Sequence, residues 1–260
     1  MHLSEILNGM KAEGLECSVH VTDDWAQGRA TFGGLIAAVG NEAMRRLVPT
    51  DRALRSLQTT FVGPAAAGEW RISTQVLRVG KAVSITQCKI QESGQIVATL
   101  VGVYGGDRSS AVNIDLPAMP PANVEQLADM LPFDGAPRFL QHFSVRWIEG
   151  ARLFTGVRSA GRAFIRHRDP ELITESHIVA LADCLPTPAM FMFRAPAPAS
   201  SLVWSLEFIE HDFAFPQNTW WRVDHDIEGA RNGYVNQSGV VYDPNGRAIA
   251  VTRQLVAIFG

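Results

Sequence analysis

The chain has 260 residues, 47% of them hydrophobic and 19% charged, with a formal net charge of −3. That length is ample for a sizeable core, and the composition excludes a disordered or collagen-like chain. The small charge gives no reason to expect nucleic acid or an anionic membrane as partner. The segment from Met1 to Glu16 carries Glu5, Lys11, Glu13 and Glu16 and lacks the apolar core of a signal peptide. No apolar run reaches the roughly 18 residues of a membrane span. Cys17, Cys88 and Cys184 lie far apart with no metal-ligand spacing, so reduced thiols in a cytoplasmic protein are expected.

In chain order, a leading strand over residues 17–22 precedes a helix over 34–47. The small residues of that helix point to burial on several sides, and Pro49 stops it. Strands follow over 55–62, 69–79, 82–91 and 95–104, separated by Gly63-Pro64, Gly80-Lys81 and Ser93-Gly94. Residues 106–137, with Pro117, Pro120, Pro121, Pro132 and Pro137, read as a linker carrying a short helix over 124–130. Strands over 143–148 and 152–158 open a second series. A helix over 174–184 follows, with Thr174 or Ser176 as N-cap and Pro186 and Pro188 beyond its end. Strands over 201–209, 219–226, 232–242 and 247–259 complete the series, with a turn at Asp243-Pro244-Asn245-Gly246.

The two series share one order of parts. Residues 93–98 lie over 245–250, Glu69-Trp70-Arg71-Ile72 over Trp220-Trp221-Arg222-Val223, and Phe61 over Phe208. This is a two-copy duplication. A helix followed by a curling antiparallel sheet is a hotdog unit, and one unit alone would leave a sheet edge bare. The expected fold is therefore α+β, a double hotdog. Its expected parts are an N-terminal half (1–105), a linker (106–137) and a C-terminal half (138–260).

Phe32-Gly33-Gly34, Arg55 to Pro64, Ser201 to Phe208 and Gly246 to Gln254 stand in an order and spacing that resembles the acyl-CoA thioesterase II family. The resemblance covers nearly the whole chain. It implies an acyl-CoA substrate, no cofactor or metal, and a catalytic set of an Asp, a Ser or Thr, and a Gln that binds and activates water. Those roles fall on Asp183, Ser201 and Gln254, with Ser200 and Ser205 competing for the hydroxyl position. A homodimer of double hotdogs is a plausible assembly.

Read physically, Asp183 interrupts an apolar helix. A carboxylate there is costly unless paired or facing a cavity, and burial would make it a better base. Gln254 can donate to one partner and accept from another, although alone it reads as a solvent-facing strand residue. In the first copy the counterparts of Asp183, Ser201 and Gln254 fall near Gly40, Leu54 and Gly102, which predicts one site per chain. Gly33 and Gly34 allow a ligand close to the first helix, with tight packing as the simpler reading. Trp204, Phe208, Phe213, Phe215, Trp220 and Trp221 read as core or acyl-tunnel wall, and residues 190–193 could extend that wall. Arg222, Arg247 and Arg253 are candidates for coenzyme A phosphates or plain surface charges. No HExxH, GxSxG or P-loop is present. A non-catalytic acyl or acyl-CoA binding protein on the same scaffold is the alternative.

Overall fold

A computed structural model describes residues 1–120, 122–130, 135–149, 153–216 and 218–259. Chain order runs α1 (Leu3–Asn8), β1 (Lys11–Glu13), β2 (Glu16–Val21), a small ribbon of β3 (Ala26–Gln27) and β4 (Ala30–Thr31), and α2 (Gly33–Arg45). Then come β5 (Ala53–Phe61), β6 (Gly68–Val79), β7 (Val83–Glu92) and β8 (Gln95–Gly105). Beyond the linker lie β9 (Phe143–Glu149), β10 (Gly161–His167), α3 (Glu175–Ala182) and the one-turn α4 (Ala189–Met192). The chain closes with β11 (Ala199–Phe208), β12 (Trp221–Arg231), β13 (Tyr234–Tyr242) and β14 (Ala248–Ile258).

Among the described residues, one sheet has twelve strands in the order β1-β2-β6-β7-β8-β5-β11-β14-β13-β12-β10-β9. Read outward from the β5–β11 seam, both sides have the same order of parts, so the chain is a double hotdog. The seam is antiparallel, centres on Gln58 facing Ser205, and includes Leu57 facing Leu206, both buried. The sheet wraps α2 and α3, which pack against each other. In α2 every residue from Gly34 to Asn41 is buried. Leu35, Ile36, Val39 and Met44 each contribute about 1.5–3 kcal/mol by leaving water. The free edges are blunted. β1 is three residues long, and β9 is bridged by the linker, where Met130 N–H donates to Val145 O and Trp147 N–H to Ala128 O.

Two expected elements differ. The strand expected over 152–158 is absent over its described part, where Phe154 and Gly156 take positive φ and their N–H groups bond carbonyls of residues 190–193. The strand of that region is β10. The expected linker helix over 124–130 is only a 3-10 turn at Val124–Gln126, because Asp129 pairs with Arg146 on β9 instead. Pro121, Pro132 and Arg152 lie outside the described residues.

The terminal helix α1, which carries no strong sequence signal, is latched to the second copy. Ser4 N–H donates to Asp169 Oδ2 at 2.8 Å, and Ser4 Oγ lies 3.1 Å from His177 Nε2. His177 Nδ1 meets Thr174 Oγ1 at 2.8 Å, where Thr174 caps α3. Burial alone would raise the Asp169 carboxyl. Hydrogen bonds from His177, Ser4 N–H and Glu171 N–H outweigh it and hold the group well below its usual range. Asp169→Ala should therefore cost about 3 kcal/mol at neutral pH in denaturant unfolding, since it strands buried donors. A depressed carboxylate stabilises above its unfolded pKa of about 4 and loses that contribution as pH falls. The gap between wild type and variant should close in acid; equal stability at pH 7 would remove the latch.

Candidate active site

The antiparallel packing of α2 on α3 brings the start of each helix to the end of the other. Asp183 is the C-cap of α3, an unfavourable end for a carboxylate. The start of α2 offsets this, because Gly34 N–H donates to Asp183. Both opening glycines of α2 are sterically required. A Cβ on Gly33 would lie 2.8 Å from Asp183 Oδ2, and one on Gly34 would lie 2.6 Å from Ala180 O. Gly34 thus serves tight packing, while Gly33 lines the cleft beside Asp183.

Strand alternation supplies the second group. On β14, Thr252, Gln254 and Val256 face inward and Arg253 faces out. Gln254 is therefore buried, not solvent-facing. Its Nε2 donates to Asp183 Oδ1 at 3.0 Å and to Ser201 Oγ at 2.7 Å. The three residues nominated from the sequence meet in one hydrogen-bonded cluster. Ser200 also lines the cleft, but Ser201 is the serine bonded to Gln254. Ser205 lies on the other side of the bulge that follows Ser201, with its carbonyl taken by Thr252. The cleft holds about 820 Å³ and has apolar walls from Ile36, Phe61, Leu185, Met190 and Phe259, with Gln27 and Arg29 also on its lining.

Burial pushes the Asp183 carboxyl up to about 7, against the hydrogen bonds from Gln254 and Gly34 that lower it. The group keeps some accessible surface at the cleft and is enclosed elsewhere. Cys184 beside it is no nucleophile: burial pushes its thiol well above the ordinary range. Two residues that sequence reasoning missed hold the cluster from behind. Gln237 Nε2 donates to Gln254 Oε1 at 2.7 Å. His225, lowered to about 4 by burial and so neutral, bonds the carbonyl of Ala182, next to Asp183. Gly239 faces His225 across β12–β13, and any larger residue would collide with that ring.

Other nominated side chains sit elsewhere. Of residues 190–193, Met190 alone lines the cleft. Trp204 is core, with its Nε1–H on Thr252 Oγ1, and Phe213 lines a different cavity. Arg222 pairs with Asp224, Arg247 with Asp243 and Glu210, and Arg253 with Glu228. None of the three lines the cleft.

The first copy is not blank at the equivalent place. The bulge after Leu54 on β5 matches the bulge after Ser201 on β11, and Ala98 on β8 matches Ala250 on β14 beside a second pair of bulges, so Leu54 answers Ser201 and Gly102 answers Gln254, as expected. On the helix, Asn41 rather than Gly40 answers Asp183: Tyr104 Oη donates to Asn41 Oδ1 at 2.7 Å. Asn41 Nδ2 donates to Glu175 Oε1 and Ser176 Oγ, both at 3.1 Å, at the start of α3. Glu175 and Ser176 stand where the second copy's partner helix has Gly33 and Gly34. A polar cluster is therefore present, but an amide replaces the carboxylate, and Glu175 lines the smaller cavity on that side, about 340 Å³ against 820 Å³. A raised Asp183 favours folding only below its unfolded pKa of about 4, and the contribution is lost as pH rises through about 7. Asp183→Asn should thus be about 2 kcal/mol more stable than wild type at pH 8, with little difference at pH 4, by thermal or denaturant unfolding. A variant no more stable at pH 8 would contradict the buried charge.

Two family models match the sequence: the acyl-CoA thioesterase N-terminal domain over residues 21–105 and the acyl-CoA thioesterase C-terminal domain over residues 115–258. No curated protein matches it at a significant level. Among solved structures, a conserved protein of unknown function with a hotdog fold from Alicyclobacillus acidocaldarius aligns with TM-score 0.87 at 20% identity, covering 100% of this chain and 99% of that one. The tesB protein of Mycobacterium avium subs paratuberculosis aligns with TM-score 0.80 at 16% identity, covering 99% and 100%. An acyl-CoA thioesterase II, TesB2, from Mycobacterium marinum aligns with TM-score 0.76 at 18% identity, covering 99% and 98%. Identities this low speak for the fold, whereas the sequence models reach further: the chain belongs to the acyl-CoA thioesterase family and carries both of its domains.

Proposed function

We propose that this protein hydrolyses an acyl-CoA to a free carboxylic acid and coenzyme A, with Asp183 as general base and Gln254 and Ser201 as the groups that orient it and the attacking water. The observation that carries this reading is the Gln254 amide bridging Asp183 and Ser201 inside a cleft with apolar walls. A carboxyl near 7 is matched to proton transfer at neutral pH. Both Nε2 hydrogens of Gln254 are committed to Asp183 and Ser201. A water at the cluster would therefore be gripped by an Asp183 oxygen and the Ser201 hydroxyl.

In the reaction, that water adds to the thioester carbon as one of its protons passes to Asp183. The tetrahedral intermediate collapses, the C–S bond breaks with its electron pair on sulfur, and Asp183 returns the proton to the departing thiolate. The start of α2, at the cleft through Gly33, favours negative charge on the intermediate. Ile36, Phe61, Met190 and Phe259 offer the acyl group an apolar slot.

Thiol release from short, medium, long and aromatic acyl-CoAs, followed with a chromogenic disulfide, tests the reading. The rate with the best substrate should rise with pH through about 7 as Asp183 ionises. Asp183→Asn should lower kcat by about a thousandfold, within the range of general-base catalysis. Gly33→Ala, which drives a methyl into the Asp183 carboxylate and the Phe61 ring, should lower kcat by about a hundredfold through misplacement of the base. Turnover that survives Asp183→Asn would defeat the mechanism. Acyl-CoA binding with no turnover from any panel member would favour the non-catalytic binding protein.

A further inference from the structure

Gln237 lies on β13 directly opposite Gln254 on β14 and is 2% exposed. It does not line the cleft. Its side chain makes one hydrogen bond among the described residues, from Nε2 to Gln254 Oε1 at 2.7 Å, and its own Oε1 has no donor there. Burying an amide for a single bond is a poor use of a core position, which an aliphatic side chain would fill at lower cost. The bond does, however, decide a direction. A glutamine amide has an accepting end and a donating end of nearly the same shape. With Gln237 donating to the carbonyl end of Gln254, both Nε2 hydrogens face Asp183 and Ser201. Reversed, Gln254 would set its carbonyl oxygen against the Asp183 carboxylate.

The same bond orders the chain beyond it. Gln237 donates to Gln254, Gln254 donates to Ser201 Oγ, and the Ser201 hydrogen is left to donate outward. We infer that Gln237 is a positioning residue for the hydrolysis, one that polarises this relay toward the cleft by fixing the orientation of the Gln254 amide. The inference rests on the proposed roles of Asp183, Ser201 and Gln254.

Gln237→Leu removes the donor, and Gln237→Glu, when ionised, reverses the relay by accepting from Gln254 Nε2. Gln237→Leu should keep or raise Tm while kcat falls about tenfold or more with KM little changed. Loss of the Gln254 donor should also move the Asp183 carboxyl further up, read as a shift of the acidic limb of the pH–rate profile and directly by ¹³C NMR titration of the carboxyl. Gln237→Glu should be slower still, and Gln237→Met serves in place of Leu where that variant folds poorly. A purely structural residue would lower Tm and leave both titrations where they are. A folded Gln237→Leu or Gln237→Met with wild-type kcat and an unmoved Asp183 titration overturns the inference. Asp183→Asn run alongside separates the two claims: if it keeps wild-type turnover, the proposed function fails first, and the carboxyl titration still judges Gln237.

Discussion

The pairing of β5 with β11 is the constraint from which the other features descend. Each half-sheet alone would end in a strand of unpaired N–H and C=O groups, and the seam satisfies both edges at once. Because it is antiparallel about Gln58 and Ser205, the two copies run in opposite senses. The helices they enclose must then lie head to tail. That arrangement, and no local preference of residues 33–34 or 183, brings a glycine-bearing helix start against the carboxylate that ends its neighbour. The cleft is accordingly a property of the joined sheet: Gly33, Ile36 and Phe61 come from one copy, and Asp183, Ser201 and Gln254 from the other.

Asp183 sits where an ionised carboxylate is poorly solvated, and its few supports are all directed. Gly34 N–H and Gln254 Nε2 recover part of the lost hydration, and His225 steadies the helix end through Ala182. The remaining imbalance leaves the group near 7. A more generous set of donors would stabilise the protein and weaken the proposed base, so an incomplete solvation shell is what the proposed chemistry calls for. The Asp169 carboxyl is the contrast within the same chain: it is also buried, but three donors surround it and it serves only to hold α1.

Much of this was legible in the amino-acid order. Alternation and turn residues placed the long strands to within about two residues, except β12, which runs on to Arg231 where 226 was expected. Asp183, Ser201 and Gln254 were nominated by resemblance and lie together. What failed shares one cause: it depended on pairing across the sheet. Residues 153–158 look extended, but positive φ at Phe154 and Gly156 makes them a loop tied to the segment after α3. Gln237 stands in the polar run Asn236-Gln237-Ser238, which reads as an outer face until β14 is set beside it. In the first copy the strand counterparts Leu54 and Gly102 hold, while the helix counterpart of Asp183 falls one residue further on, at Asn41 rather than Gly40. That one residue was enough to exchange Asn41 for Gly40 and make an occupied place look empty.

The contact between Asn41 and Glu175 has a bearing on stoichiometry. Two separate identical halves meeting across a twofold axis would have to build both places alike, because any residue that opened one would open the other. Joining the halves in a single chain removes that obligation. Glu175 can narrow its side to a smaller, polar cavity, with one oxygen on Asn41 Nδ2 and the other on Leu54 N–H, while Gly33 leaves the opposite side wider. Saturation with a substrate analogue should therefore stop at one molecule per chain, and no cooperativity should arise between places within one polypeptide.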